Sequence, residues 1–289
     1  MPIAAVNMER LTSPAVIREL LAAHGIELRK GLGQHFLADA NVLGRIVEAI
    51  SPSPTDRVVE VGAGIGTLTV ALAPHVRELW AVEVDSRFIP LLRAHLGPFR
   101  NVHILNEDFR DLDLASLGGD LLVVGNLPYG ITSAVLLKLI GERESVAKAV
   151  FTVQWEVGEK LVAPPGPEVT RLAVHLRTYF EVELVRRIPK TVFFPPPEVD
   201  GALVRLHRLP KPRVSLSGKD WERTLALAFS HRRKTLRRVL LSLLSPGEVD
   251  ALLAELGLDP RARAEALDFP ELEKLGRALA QLGLFERNQ

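Results

Sequence analysis

The residues best suited to chemistry are Asn126-Leu127-Pro128-Tyr129, which close the apolar run Leu121–Val124. A residue before proline is driven out of the helical region. That can aim the Asn126 side chain and the Leu127 carbonyl at one point, with Tyr129 offering an aromatic face beside them. Two acceptors next to a stacking ring suit an amino group on a flat base. The lone pair of such a nitrogen is delocalised into the ring, so it is a poor nucleophile. Acceptors that hold its hydrogens favour a pyramidal nitrogen whose lone pair can attack. Catalysis of this kind is mainly positioning and electrostatics. It needs no strong base, because the nitrogen becomes acidic only after it has reacted.

A second candidate is the loop Glu60-Val61-Gly62-Ala63-Gly64-Ile65-Gly66, which directly follows an apolar run. Glycines there permit a tight turn and close approach of the backbone to a ligand. Glu83 ends the next apolar run, where an acid can accept hydrogen bonds from both hydroxyls of a ribose. Asp108, after the third run, can reach the amino group of an adenine, or it can simply cap a turn. A dinucleotide fingerprint would read Gly-x-Gly-x-x-Gly, with a pyrophosphate at the helix N-terminus. The spacing here is Gly-x-Gly-x-Gly, which suits S-adenosylmethionine, a cofactor with no phosphate to hold. A nucleotide-dependent oxidoreductase is the competing class, and the tetrapeptide counts against it. The third candidate is Val192-Phe193-Phe194-Pro195-Pro196-Pro197. Its prolines hold the loop extended, so that Phe193 or Phe194 can stack on an extruded base or serve as plain packing.

These loops need a scaffold. Strand-like runs at Val58–Val61, Leu79–Val84, Val102–Leu105, Leu121–Val124 and Ala149–Val153 alternate with helix-compatible stretches. Such alternation, with nearly all-apolar strands, predicts a parallel sheet covered on both faces. Glu181–Arg187 and Ala202–Leu206 alternate more and suit an antiparallel edge pair. Before the sheet, Ser13, Pro14 and Gly25 bracket a short helix, and Asn41–Ile50 carries one apolar face. Beyond Pro210-Lys211-Pro212 the pattern is helical only: a segment through Trp221, Leu225, Ala228, Phe229, Leu236 and Leu240, then helices near Glu248–Leu256 and Pro270–Leu282. The expected organisation is a catalytic domain at 1–208, with a helical extension at 1–30, and a basic helical domain at 209–289.

Composition narrows the classes. The 289 residues include no cysteine, which excludes disulfides, thiolate zinc sites, iron–sulfur clusters and cysteine nucleophiles. No metal site is foreseen. There is no run of 18 apolar residues and no basic-then-apolar leader in Met1–Leu11, so the expectation is a cytoplasmic protein with no membrane partner. Lys and Arg number 36 against 35 Asp and Glu. The balance hides an asymmetry: Arg205–Arg238 holds 11 basic residues and two acids, Asp220 and Glu222. Such a segment is either a surface for an anionic partner or a solvated face.

Taken together, the motifs resemble the ribosomal RNA adenine dimethyltransferase family. The likeness runs from about Gly31 to Leu240 and rests on Gly33-Gln34-His35-Phe36-Leu37, Glu60–Gly66, Ala81-Val82-Glu83-Val84-Asp85, Asn126–Tyr129 and Phe193–Val199. Phe229-Ser230-His231-Arg232-Arg233-Lys234-Thr235-Leu236 looks like the basic helix of the members that act on the small subunit. The resemblance implies an α/β, Rossmann-like, S-adenosylmethionine-dependent methyltransferase sheet with a small all-α C-terminal domain. It implies cofactor contacts at His35, Leu37, Gly62, Glu83, Asp108 and Asn126, with Gln34 and Gly64 in the same motifs. It implies target-base contacts at Asn126, Leu127, Tyr129 and Phe193, with Pro128 shaping the turn, and RNA contacts at Arg232, Arg233, Lys234 and Arg237.

The implied product is a pair of adjacent dimethyladenosines near the 3′ end of small-subunit (16S) ribosomal RNA, formed by a monomer acting on that RNA or a 30S precursor particle. A large-subunit methyltransferase of the antibiotic-resistance type and a non-catalytic assembly factor are the alternatives. Two departures from the family pattern lie near the expected RNA-facing edge. Trp155 stands where the family has lysine, and the loop Gly166–Leu172 is short and lacks the family's Tyr-Gly pair.

Overall fold

Seven strands form one mixed sheet in the computed structural model, which describes residues 11–28, 33–231 and 233–285. Two units divide the chain, Met1–Glu159 with Glu181–Arg208, and Lys160–Phe180 with Leu209–Gln289. The sheet belongs to the first. Its strands are β2 (Arg57–Val61), β3 (Glu78–Val82), β4 (Val102–Leu105), β5 (Leu121–Asn126), β6 (Val146–Gln154), β7 (Phe180–Ile188) and β9 (Gly201–Arg208), in the order β4-β3-β2-β5-β6-β9-β7. The first five are parallel. Strand β9 runs antiparallel to β6, and β7 lies outside it at the edge. A separate two-stranded ribbon, unforeseen in the sequence, pairs β1 (Phe36–Leu37) with β8 (Phe193–Phe194).

Strand composition explains the burial. Val58, Leu79, Leu122, Val124, Val150 and Leu203 join one buried cluster with three helices, α2 (Ala40–Ile50), α3 (Thr67–Leu72) and α4 (Ile89–Leu96). Their alternates Val59, Val61 and Val123 are also fully buried, as the pleat requires of strands covered on both faces. Helix α1 (Pro14–Ala23) starts after Ser13 with Pro14 in its first turn, but the Ser13 hydroxyl caps nothing. Helix α2 is capped by Asp39, which accepts from the Val42 amide. Helix α5 (Thr132–Gly141) follows the tetrapeptide.

The chain runs from β2 out to β4, then returns to β5 on the other side of β2. That reversal opens a crevice at the C-terminal ends of β2 and β5, the position at which ligands bind in open α/β sheets. Gly125 sits at this closure. A β-carbon there would lie 2.6 Å from the Val61 carbonyl oxygen, and backbone cannot swing aside as a long side chain can. Gly125→Ala is expected to cost about 1–3 kcal/mol through overpacking, read as a lower urea midpoint at unchanged slope. A wild-type midpoint would show that the two strands can part freely.

The second unit begins its C-terminal part at Leu209 and also takes in a stretch from within residues 1–208. Lys160–Phe180, including α7 (Arg171–Tyr179), clusters with the C-terminal helices rather than with the sheet. Its remaining helices are α8 (Gly218–Ala228), α9 (Leu236–Leu240), α10 (Pro246–Leu256) and α11 (Phe269–Gln281). Trp221 is fully buried at its centre and donates its indole N–H to Thr178 Oγ1 at 2.9 Å. The bond answers the main cost of burying tryptophan, and it anchors α8 to α7. Helices α10 and α11 open on full capping boxes, Ser245 with Glu248 and Asp268 with Glu271. The basic segment is a correction. Helix α8 ends at Ala228, and the described residues from there to Thr235, 229–231 and 233–235, are turn and bend rather than a basic helix. Thr235 caps α9 by accepting from the Arg238 amide. Thr, Ser and His are weak helix formers in the interior but good partners for free backbone groups, and successive like charges add no support.

Candidate active site

A cavity of about 260 Å³ fills the crevice. It is lined from the N-terminal loop by Gln34, His35 and Leu37, from the glycine loop by Gly62 and Gly64, and from the next strand ends by Glu83 and Asp108. Asn126, Pro128 and Phe193 complete the opposite wall. Four sequence motifs thus meet on one space. Leu127 and Tyr129 do not line it. The Leu127 side chain is buried, and its amide donates to the Thr152 carbonyl, which fixes the turn. Tyr129 stands beside the cavity, its ring centroid 6.0 Å from that of His35, and its hydroxyl donates to the Val199 carbonyl at 3.4 Å. Burial, with the Asp200 charge nearby, pushes the Tyr129 phenol up.

Asn126 shows how the wall is built. Its amide N–H donates to the His35 carbonyl at 2.7 Å. That bond uses one of the two N–H donors of the side chain, and no protein donor among the described residues meets the amide oxygen, an acceptor. His35 is fixed in turn, its Nδ1 2.7 Å from the Pro195 carbonyl oxygen. The Phe36–Phe194 and Leu37–Phe193 ribbon pairs and the Ala38 amide donating to the Val192 carbonyl join the same two loops. The ribbon also separates the two phenylalanines. Phe193 is buried and faces the cavity, whereas Phe194 packs with Phe36 and Phe88 and lies under the Arg18 guanidinium at 5.2 Å.

Glu83 organises the opposite side. Its carboxylate accepts from the Gly64 amide at 2.7 Å and from the Asp85 amide at 2.8 Å. Burial raises its pKa, while these two bonds pull the other way. Gly64 has φ of +53°, and a β-carbon there would meet the Phe36 ring at 2.9 Å. The loop therefore needs glycine both for its turn and for its packing on the N-terminal loop. Gln34 reaches the cavity wall with its amide N–H bonded to Asp85 at 2.9 Å. Asp85 also holds Arg87, and that pairing keeps its carboxyl down at about 2. Asp108 is gripped by Arg110 through both carboxylate oxygens, which lowers its pKa.

One further residue sits on this floor. Glu60 was visible only as the acid before the glycine loop. It is 2% exposed, accepts from the Thr69 hydroxyl at 2.5 Å, and burial pushes its pKa up to about 8. The folded protein therefore holds a proton there that the unfolded chain releases near the usual carboxylate range, so stability falls as pH rises from about 5 to about 8. Glu60→Gln keeps the Thr69 bond and removes the proton. We expect it to flatten that decline, as read by urea unfolding at several pH values. Parallel curves for the two proteins would contradict the assignment. Among the described residues no group of three or more His, Asp or Glu is placed to hold a metal.

A sequence profile described as ribosomal RNA adenine dimethylase matches residues 25–275. The chain belongs to that family. It is 37% identical to proteins named ribosomal RNA small subunit methyltransferase A from Bacillus mycoides (strain KBAB4) and Bacillus cereus (strain B4264), over 94% of this chain and 98% of theirs. Among solved structures, it is similar to the 23S rRNA methyltransferase ErmE, with a TM-score of 0.66 and 30% identity over 87% of this chain and 98% of that one. It also shares the fold of a dimethyladenosine transferase from Plasmodium falciparum, with a TM-score of 0.74 and 23% identity over 85% and 97% of the two chains. The Rossmann-like sheet is thus that of an adenine dimethyltransferase.

Of the basic residues expected to meet RNA in this dimethyltransferase, Arg232 lies outside the described residues. Arg233 and Lys234 are exposed, in a turn just before α9. Arg237 is tied to Asp250 at 2.6 Å. Two other members of the basic segment are also matched, Arg205 by Glu183 and Arg208 by Asp120. The linear count of positive charge therefore overstates what the folded surface offers. The acids that cancel it come from distant stretches of the chain.

Proposed function

We propose that the protein transfers methyl groups from S-adenosylmethionine to the exocyclic amino nitrogens of two adjacent adenines near the 3′ end of small-subunit ribosomal RNA, giving dimethyladenosines. The observation that carries the chemistry is Asn126, which lines the cavity with one N–H bonded to the His35 carbonyl and with its oxygen meeting no protein donor among the described residues. The choice of RNA rests on the identity to the small-subunit enzymes over nearly the whole chain. With ribosomal RNA, naked or in a 30S precursor particle, as its substrate, we infer that the enzyme works in the cytoplasm.

The residues present fit the cofactor. Glu83 is set for the ribose hydroxyls, since a carboxylate with two bonds from amides has lone pairs left. Asp108 retains acceptor capacity for the adenine amino group, and the Gly62 and Gly64 backbone gives close approach. Gln34, through Asp85, and His35, through Asn126, hold the N-terminal loop against this space. Bound S-adenosylmethionine supplies an electrophilic methyl group on a sulfonium sulfur. The Asn126 amide oxygen would hold one hydrogen of the target amino group, and the carbonyl of Leu127, which lies between two residues that line the cavity, would hold the other, leaving the lone pair free to attack. A nitrogen methylated there would carry a positive charge, which loss of its proton to water would relieve. Phe193 and Tyr129 take the faces of the extruded base.

The test is methyl transfer with labelled cofactor to unmethylated small-subunit particles, small-subunit RNA and large-subunit RNA, with the product base identified by mass spectrometry. Dimethyladenosine confined to small-subunit material is the expected result. Label in large-subunit RNA would transfer the reading to the alternative branch, and no label anywhere would leave a binding factor. Arg233 and Lys234 are proposed as phosphate contacts. Charge reversal at the pair is expected to weaken RNA binding and to reduce the slope of log K against log salt by roughly 0.7–0.9 for each phosphate lost. An unchanged slope would make the turn a solvated surface.

A further inference from the structure

Trp155 opens α6 (Trp155–Val162) at the C-terminal end of β6, on the sheet edge that carries the active site. The guanidinium of Arg187, at the end of β7, lies over its indole at 4.9 Å. The pair is locked in place from below. The Trp155 amide donates to the Asp200 carbonyl at 2.9 Å, and Arg187 Nε donates to the Asp200 carboxylate at 2.8 Å. The Lys190 amide bonds the other oxygen of the same carboxylate. The neighbouring carbonyl, Val199, takes the Tyr129 hydroxyl. One turn thus braces both the aromatic member of the catalytic tetrapeptide and the Trp155–Arg187 stack.

Three features make this stack a site rather than packing. The Arg187 side chain remains 60% exposed although its plane is fixed on both counts. Only its Nε is committed to Asp200, so the two terminal nitrogens still point donors outward. Lys190 stands beside it, with its ammonium on the Glu198 carbonyl, where it adds a second positive charge. Asp200 is the carboxylate that faces both, and it is shared between them. A pre-oriented guanidinium fork on an aromatic face matches phosphate geometry and loses little freedom on binding.

Position says which phosphate. Strand β6 pairs directly with β5, which carries Asn126, and Trp155 follows the last residue of β6. One strand spacing is about 5 Å, and the guanidinium lies over the indole that follows this neighbouring strand. We propose that Arg187, stacked on Trp155, binds a backbone phosphate of the RNA strand within a few nucleotides of the target adenine, so fixing which base enters the cavity. The proposal rests on the RNA-modifying reading above.

The test uses the full chain and unmethylated small-subunit RNA, titrated from low to moderate salt, with cofactor affinity measured in parallel by calorimetry. Arg187→Ala is expected to weaken RNA binding about fivefold, to reduce the salt slope by about 0.7, and to raise KM for RNA with kcat and cofactor affinity retained. Trp155→Ala is expected to give a smaller loss, and none when Arg187 is already alanine, because the indole acts through the guanidinium. Arg187→Lys should restore the slope but only part of the affinity. An unchanged slope and affinity in Arg187→Ala would overturn the proposal, as would an equal effect of Trp155→Ala in both backgrounds. Failure of the wild-type protein to methylate small-subunit RNA would instead count against the choice of substrate. The slope comparison would then be made on whichever RNA the wild type binds.

Discussion

Asn126→Ala is expected to lower kcat by about 10²–10³ while the protein stays folded. The size is that of losing one oriented polar group at a developing charge, about 3–4 kcal/mol. Two effects combine. The amide oxygen that holds one hydrogen of the target nitrogen disappears, so the nitrogen stays planar and its lone pair stays in the ring. The amide donor to the His35 carbonyl also disappears, which frees the loop carrying Gln34, His35 and Leu37. The second effect gives the variant a distinctive signature. Cofactor affinity should fall modestly alongside the large fall in turnover, with the unfolding midpoint barely moved, because Asn126 ends its strand rather than filling the core. Single-turnover methylation at saturating RNA is the measurement. Turnover at the wild-type rate would remove Asn126 from the mechanism.

Glu83→Ala should weaken S-adenosylmethionine binding about 100-fold. The residue does more than meet the ribose. Its two oxygens hold the amides of Gly64 and Asp85, so truncation leaves two donors without their acceptor, each at a cost of about 1–3 kcal/mol where burial excludes water. Gly64 is then free to relax from φ of +53°, and the glycine turn loses its shape. Glu83→Gln keeps one acceptor and sets its NH2 against the other amide, and should give an intermediate loss of about tenfold. Calorimetric titration of both variants separates the two roles. Equal affinity for wild type and Glu83→Ala would detach Glu83 from the cofactor.

Much of this architecture was legible from local pattern. The five parallel strands were announced by apolar runs, and each observed strand overlaps its run; in the central strands β2 and β5 burial on both faces leaves almost no polar alternate to blur it, whereas edge strand β4 carries the exposed His103. The crevice was legible too. Gly62–Gly66 and Glu83 directly follow strands, Asp108 comes three residues after one and Asn126 ends one, and parallel strands bring all such ends to one edge. Errors arose where local preference is weak. The run Trp221–Leu240 keeps a helical period across Phe229–Thr235, yet the chain turns there, since Thr235 does better as a cap for α9 than inside a helix. The ribbon of Phe36–Leu37 with Phe193–Phe194 was invisible because two-residue strands have no period to detect.

Residue type and spacing were therefore enough for the chemistry available, an acid for a ribose, glycines for close approach, an amide and a carbonyl for an amino group. They also implied the sheet that would gather them. Orientation and charge balance came only with folding. Asn126 and His35 are 91 positions apart, and which end of the amide faces the cavity depends on their meeting. The same holds for Arg205 with Glu183, Arg208 with Asp120 and Arg237 with Asp250. Each pairing cancels a positive charge that a linear count assigns to the surface. Local pattern sets the backbone period through short-range sterics and burial, whereas a hydrogen bond or an ion pair between remote segments depends on contacts that no window of sequence contains.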